Sequence, residues 1–103
     1  MSRIAQRARK DANHNAIVRR FQQLGCSVIE LHAIGIPGCP DLGVGLLGRT
    51  ELVECKDPST HYGRAGLNPN QTAFARDWRG GKVWLCSSED EATALVQNWR
   101  RHA

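Results

Sequence analysis

The chain has 103 residues, with 14 Lys and Arg against 10 Asp and Glu, for a net charge of +4. That length suits one domain over 1–103, with a core small enough that a partner subunit would add useful burial. The mild basic excess suits a polyanionic partner. No apolar run reaches the ~20 residues of a membrane helix, and no hydrophobic stretch follows the N-terminal charges as in a secretory signal; the expectation is a cytoplasmic protein with no membrane partner.

Residues 1–10 hold Arg3, Arg7, Arg9 and Lys10 and read as a basic arm or as the first turn of a helix. Asp11 or Asn13 then caps a helix whose apolar positions Ile17, Val18, Phe21 and Leu24 fall at helical spacing, and Gly25 ends it. Residues 26–32 read as a strand. Gly35, Pro37, Gly38 and Pro40 force a loop. Residues 41–47 read as a second strand with Leu42, Val44 and Leu46 on one face. Asp41, Gly43 and Gly45 share the other face, where two glycines leave room beside the acid. Gly48-Arg49 is expected as a two-residue hairpin turn, and 50–56 as the third strand.

Residues 57–67 hold Pro58, Gly63 and Gly66 and read as a long mobile loop. Asn68 caps a helix with Pro69 at its first position, Phe74 and Trp78 as apolar residues, and Gly80-Gly81 as its stop. Residues 82–86 make a fourth strand. Ser88 to Glu91 matches a capping box, and Ala92, Leu95, Val96 and Trp99 stripe the last helix, which has the basic end Arg100-Arg101. The four cysteines, Cys26, Cys39, Cys55 and Cys86, include no C-x-x-C pair. They read as reduced thiols; a zinc-dependent structural protein built on them is the lesser alternative.

One constellation carries chemistry: Pro40-Asp41, then Glu54-Cys55-Lys56. Residues two apart in a strand share a face, so Glu54 and Lys56 point the same way, near Asp41. Two acids and a lysine can hold a divalent cation and position a water against a phosphodiester. Each piece has a plainer reading. Glu54 and Lys56 could be a solvated ion pair, and Asp41 a turn residue after proline. Gln71 could complete a capping box with Asn68, contact the site, or do both. His14, His32 and His61 read as solvated, and Trp78, Trp84 and Trp99 as core or interface residues more than base-stacking platforms. Arg7, Arg9, Lys10 and Arg19, with His61, Tyr62 and Arg64 in the long loop, are the candidate DNA contacts; a solvated tail and an ordinary polar loop are the alternatives.

Three blocks, Gly35-Ile36-Pro37-Gly38-Cys39-Pro40-Asp41, Leu52-Val53-Glu54-Cys55-Lys56 and Leu67-Asn68-Pro69-Asn70-Gln71, make the chain similar to the PD-(D/E)xK nuclease superfamily. Within it the chain resembles VRR-NUC-type domains and phage Holliday junction resolvase-like nucleases. The resemblance implies an α/β fold with a restriction-endonuclease-like core, order αβββαβα, and a central mixed four-stranded sheet flanked by helices. It implies a Mg2+ or Mn2+ ion held by Asp41, Glu54 and the Cys55 backbone carbonyl. Lys56 would orient or help deprotonate the attacking water, and Gln71 would edge the site. An acidic residue on the first helix is common in the group; here Asp11, Asn13, His14 or Asn15 would fill that slot. The implied activity is endonucleolytic hydrolysis of DNA by a bacterial or phage-encoded homodimer. No base-reading module accompanies the core, which favours branched DNA read by shape. The alternative is a non-catalytic or partner-dependent DNA-binding module.

Overall fold

A computed structural model describes residues 12–60 and 66–103. Arg7, Arg9, Lys10 and Asp11, and the loop residues His61, Tyr62 and Arg64, lie outside the described residues. The elements run α1 (His14–Gln23), β1 (Ser27–Glu30), β2 (Leu42–Leu46), β3 (Arg49–Cys55), α2 (Pro69–Asp77), β4 (Val83–Cys86) and α3 (Glu89–Arg101). The class is α/β, with one mixed four-stranded sheet in the order β1-β2-β3-β4. The first three strands are antiparallel neighbours, and β4 joins β3 in parallel. Parallel neighbours need a crossover connection, which α2 supplies. Among the described residues no helix is long and apolar enough to cross a membrane.

Alternation along the strands sorts the sheet into two faces. Leu42, Val44, Val53, Cys55 and Cys86 turn to one face and are buried. The stripe of α1 (Ile17, Val18, Phe21) and that of α3 (Ala92, Val96, Trp99) close over them in one cluster. Phe21 and Trp99 stack at 5.8 Å between ring centres. Each such side chain removed from water contributes about 1.5–3 kcal/mol, so this layer holds the sheet to its helices. The opposite face is less covered: Ile29 and Leu85 stay exposed on it. Three of the cysteines are buried and Cys39 half-buried, all as free thiols. Burial pushes the Cys86 thiol up to about 12, so it is an inert core residue.

Arginines finish the helix ends that the backbone leaves open. Arg100 Nη2 donates to the Leu24 carbonyl at the end of α1 (2.7 Å), and Arg49 Nη2 to the Trp99 carbonyl near the end of α3 (3.0 Å). Arg20 donates to Thr93 and pairs with Glu89 at the start of α3. These cations are committed to the fold. Ser88 caps α3 as expected, but Glu91 reaches back to the N–H of Ser87, one residue before the cap.

Three expectations are corrected. The hairpin turn is Leu47-Gly48, not Gly48-Arg49: Leu46 and Arg49 pair across it, with φ of +57° at Leu47 and +76° at Gly48. Positive φ at both central residues is what a type I′ turn needs to match strand twist, and it forces an exposed leucine into the left-handed region. Of the two roles expected for Trp78, core or interface, the core role does not hold. Trp78 is 47% exposed at the end of α2, stacked on Phe74, and its indole lies over Gly80, where any Cβ would collide. The loop expected over 57–67 does not begin loose. Asp57 is buried and its carboxylate accepts from Ser59 N and Oγ, a local turn. The Ser59 hydroxyl bond, then the Ser59 and Ala12 N–H bonds, hold the Asp57 carboxyl below its ordinary range despite burial.

Two measurements check these points. Leu47→Asn, which tolerates the left-handed conformation, should raise stability by about 0.5–1 kcal/mol in denaturant unfolding; no gain would mean the turn is unstrained. Because the folded Asp57 carboxyl is depressed, its contribution is full above about pH 4 and disappears as pH falls through the lower folded value. The melting-temperature gap between wild type and Asp57→Asn should therefore close on acidification. A gap that stays flat into strong acid would discard this assignment.

Candidate active site

The end of the β2–β3 ladder brings the sequence motif together. Leu42 pairs with Val53, so one step further Asp41 stands across from Glu54. Opposed residues of an antiparallel pair share a face. Asp41 is pinned twice: its carbonyl accepts from Leu31 N (2.6 Å), extending the β1 edge, and its Oδ2 accepts from Cys55 N (2.8 Å). Oδ1 has no hydrogen-bond partner among the described residues. The Lys56 N–H donates to the Cys86 carbonyl (3.0 Å), which carries the ladder on toward β4.

Gln71 ties the site to α2. Its Nε2 donates to Glu54 Oε2 (2.8 Å), and its Oε1 accepts from Lys56 Nζ (2.9 Å). The same oxygen accepts from Asn68 N, while Asn68 Oδ1 accepts from Gln71 N: a complete capping box. Capping and site contact, left open by the sequence, are both met by one amide. Lys56 Nζ also lies 3.8 Å from Glu54 Oε2, with the two side chains only 12% and 7% exposed. That degree of burial is unlike a solvated surface pair. Burial pushes the Cys39 thiol up, and the nearby Glu54 and Asp41 carboxylates add to it. One thiol thus feels both acids.

The approach loop is held by close contact. Gly38 has φ +75°, and a Cβ there would meet the Asn70 carbonyl oxygen at 2.1 Å. Bare backbone at 38 lets the loop that delivers Asp41 sit directly on the first turn of α2.

The first helix is where sequence reasoning fell short. Asn13 makes no side-chain cap; its Nδ2 donates to the Lys56 and Ser87 carbonyls (3.1 and 2.6 Å), joining the start of α1 to the ends of β3 and β4. Asn15 is exposed. His14 is the residue turned toward the acid: a ring nitrogen lies within 4.8 Å of an Asp41 carboxylate oxygen and of Cys55 Sγ. The expectation that His14 and His32 are solvated is corrected. His14 is 1% exposed, bonded through Nε2 to Glu30 Oε1 (2.7 Å), and His32 packs edge-on against it. The usable signal was Glu30-Leu31-His32, two polar residues spaced to share a face where the first strand ends.

The oxygens of Asp41, Glu54 and the Cys55 carbonyl are hard donors that could hold a divalent cation. Arg19, the one described residue among the proposed DNA contacts, is exposed on α1, off its buried stripe. A cleft of about 650 Å³ lies at the other end of β3, lined by Arg49, Glu51, Lys82, Trp84 and Trp99 among others. Its one acid, Glu51, is engaged by Trp84 Nε1 and Arg49, so the motif end is the better seat for chemistry. No cluster of three cysteines occurs among the described residues; only Cys55 joins a potential ligand group. Comparison with protein-family models, with curated proteins and with solved structures finds no match.

The dual role of Gln71 can be separated. Gln71→Glu keeps a side chain that completes the capping box but sets a carboxylate against Glu54. It should destabilise at neutral pH and recover on acidification, as the pair takes up a shared proton. Gln71→Ala should lose about 0.5–2 kcal/mol without that recovery. Parallel pH profiles for the two variants would show that residue 71 only caps.

Proposed function

We propose that this chain is a metal-dependent DNA endonuclease with a restriction-endonuclease-like core, acting on branched DNA. The observation carrying the proposal is the Lys56–Gln71–Glu54 bridge beside Asp41: a half-buried lysine and two acids held at one sheet end.

The donor set fits Mg2+ or Mn2+: oxygen ligands from Asp41, Glu54 and the Cys55 carbonyl, with Asp41 Oδ1 not engaged by any described residue. Such a cation, when bound, supplies polarisation of the phosphoryl oxygen and a more acidic water. The chain's own groups do the rest. Lys56 Nζ, steered by Gln71, points a donor to where a water and a non-bridging phosphate oxygen meet. Its charge offsets what accumulates in the transition state. Glu54 Oε2, held by Gln71 Nε2, stands 3.8 Å from the lysine nitrogen. Cys55 N–H keeps Asp41 in register with Glu54.

Shape-selective binding is supported by the absence of a base-reading element among the described residues, with Arg19 as a backbone contact. A homodimer is supported by exposed Ile29 and Leu85 on the open sheet face, and by Ile34 and Ile36 in the approach loop. The second reading, a DNA-binding module without turnover, draws on His14, a histidine that lies near Asp41 from the first helix among the described residues.

Labelled four-way junction, flap and linear duplex, incubated with Mg2+ or Mn2+, test this directly. Cutting should favour branched substrates. Asp41→Ala and Lys56→Ala should each lose about 10²–10⁴-fold in rate while retaining binding. Undiminished cutting by both variants would falsify the site. Binding without cutting by wild type would leave the second reading in its place.

A further inference from the structure

A second group of ligating atoms adjoins the carboxylate site and is not used by the mechanism. It gathers around Glu30 Oε1. His14 Nε2 lies 2.7 Å from that oxygen, and His32 Nδ1 lies 3.7 Å from it. The two rings are 5.5 Å apart and edge-on, and one ligand atom from each of the three residues falls within 4.8 Å of the others.

A hydrogen bond explains only part of this. It satisfies His14 Nε2 and one carboxylate oxygen. It leaves His14 Nδ1 and His32 Nδ1 buried with no hydrogen-bond partner among the described residues. A buried polar nitrogen without a partner is destabilising, so two such nitrogens on adjoining rings call for a reason.

We propose that His14, Glu30 and His32 bind a transition-metal dication of the Zn2+ type, with one coordination position left to solvent. Two imidazole nitrogens and one carboxylate oxygen match that class and not Mg2+. Metal–ligand bonds of about 2.0–2.2 Å in tetrahedral array place neighbouring donors about 3.3–3.5 Å apart. The two edges that meet at Glu30 Oε1, 2.7 and 3.7 Å, bracket that value, and the third lies within 4.8 Å. Ligation through Nε2 moves the remaining His14 proton to Nδ1, which then needs an acceptor. A ligating histidine commonly donates its other N–H to a carboxylate, and the Asp41 carboxylate is the acid near this ring. The ion would therefore pin the start of α1 to the end of β1 and set the tautomer of the residue beside Asp41. The proposal stands apart from the nuclease reading and needs no turnover.

The test uses the full chain, stripped with chelator and then held in excess Mg2+ to occupy hard-oxygen sites. Zn2+ is titrated by calorimetry and Co2+ by visible absorption. Expected are one equivalent of Zn2+, intense tetrahedral Co2+ bands, and at least about tenfold weaker binding in both Glu30→Gln and His32→Asn. Both side chains are partly exposed, so these variants spare the core, and Glu54→Gln should bind Zn2+ as wild type does. Absence of Zn2+ binding, or a weak six-coordinate Co2+ spectrum, overturns the proposal without any variant. Binding that survives both substitutions, or that is lost in Glu54→Gln, overturns it by placing the ion elsewhere.

Discussion

The register between β2 and β3 is the constraint on which the site depends. With Leu42 opposite Val53, Val53 faces the helices while Glu54 and Lys56 face the other way, next to Asp41. Side chains alternate every residue, so a slip of one position would bury Glu54 and Lys56 in the apolar layer and expose Val53 and Cys55. Burying two charged groups there costs far more than the ladder could return. The core therefore enforces the register, and the tight Leu47-Gly48 turn fixes its count. The strained backbone at Leu47 is tolerated because that turn delivers the pairing.

From this register the rest follows outward. Asp41 is clasped by Cys55 N–H, Gln71 spans Lys56 and Glu54, and Asn13 bonds the carbonyl of Lys56. These four bonds tie three separate segments, around Asp41, Gln71 and Asn13, to residues 54–56 at the end of β3. The site is thus a junction of α1, β2, β3 and α2, with no single loop holding it. Hydrogen bonds to neighbours engage Lys56, Glu54 and one oxygen of Asp41, which is how a half-buried lysine and two acids coexist in so small a domain.

Much of this was legible in the sequence because it rests on local rules. Proline and glycine placed the loops, two-residue alternation placed the strands, and Asn68-Pro69 marked the start of α2. Glu54 and Lys56 two apart on a strand had to share a face. What was not legible came from contacts between distant segments. A lone histidine at the start of a helix carries no sign of the acid it will meet, so His14 read as solvated. Asn13 read as a cap, because nothing local reveals the Lys56 and Ser87 carbonyls it serves. The turn was misplaced by one residue because leucine is a poor candidate for positive φ. Trp78 read as a core or interface residue because of its aromatic size, yet α2 buries none of its residues and Trp78 stays out of the core.

Gly38 touches none of the reactive groups, yet its missing side chain sets where they stand. The Asn70 oxygen occupies the place a methyl group would take, and Gln71 is the next residue along. Any larger residue at 38 shoves the helix start outward and carries the amide away from Lys56 and Glu54. Position 38 thus constrains the Lys56–Gln71–Glu54 bridge by leaving a space unfilled, although it offers no polar side chain of its own.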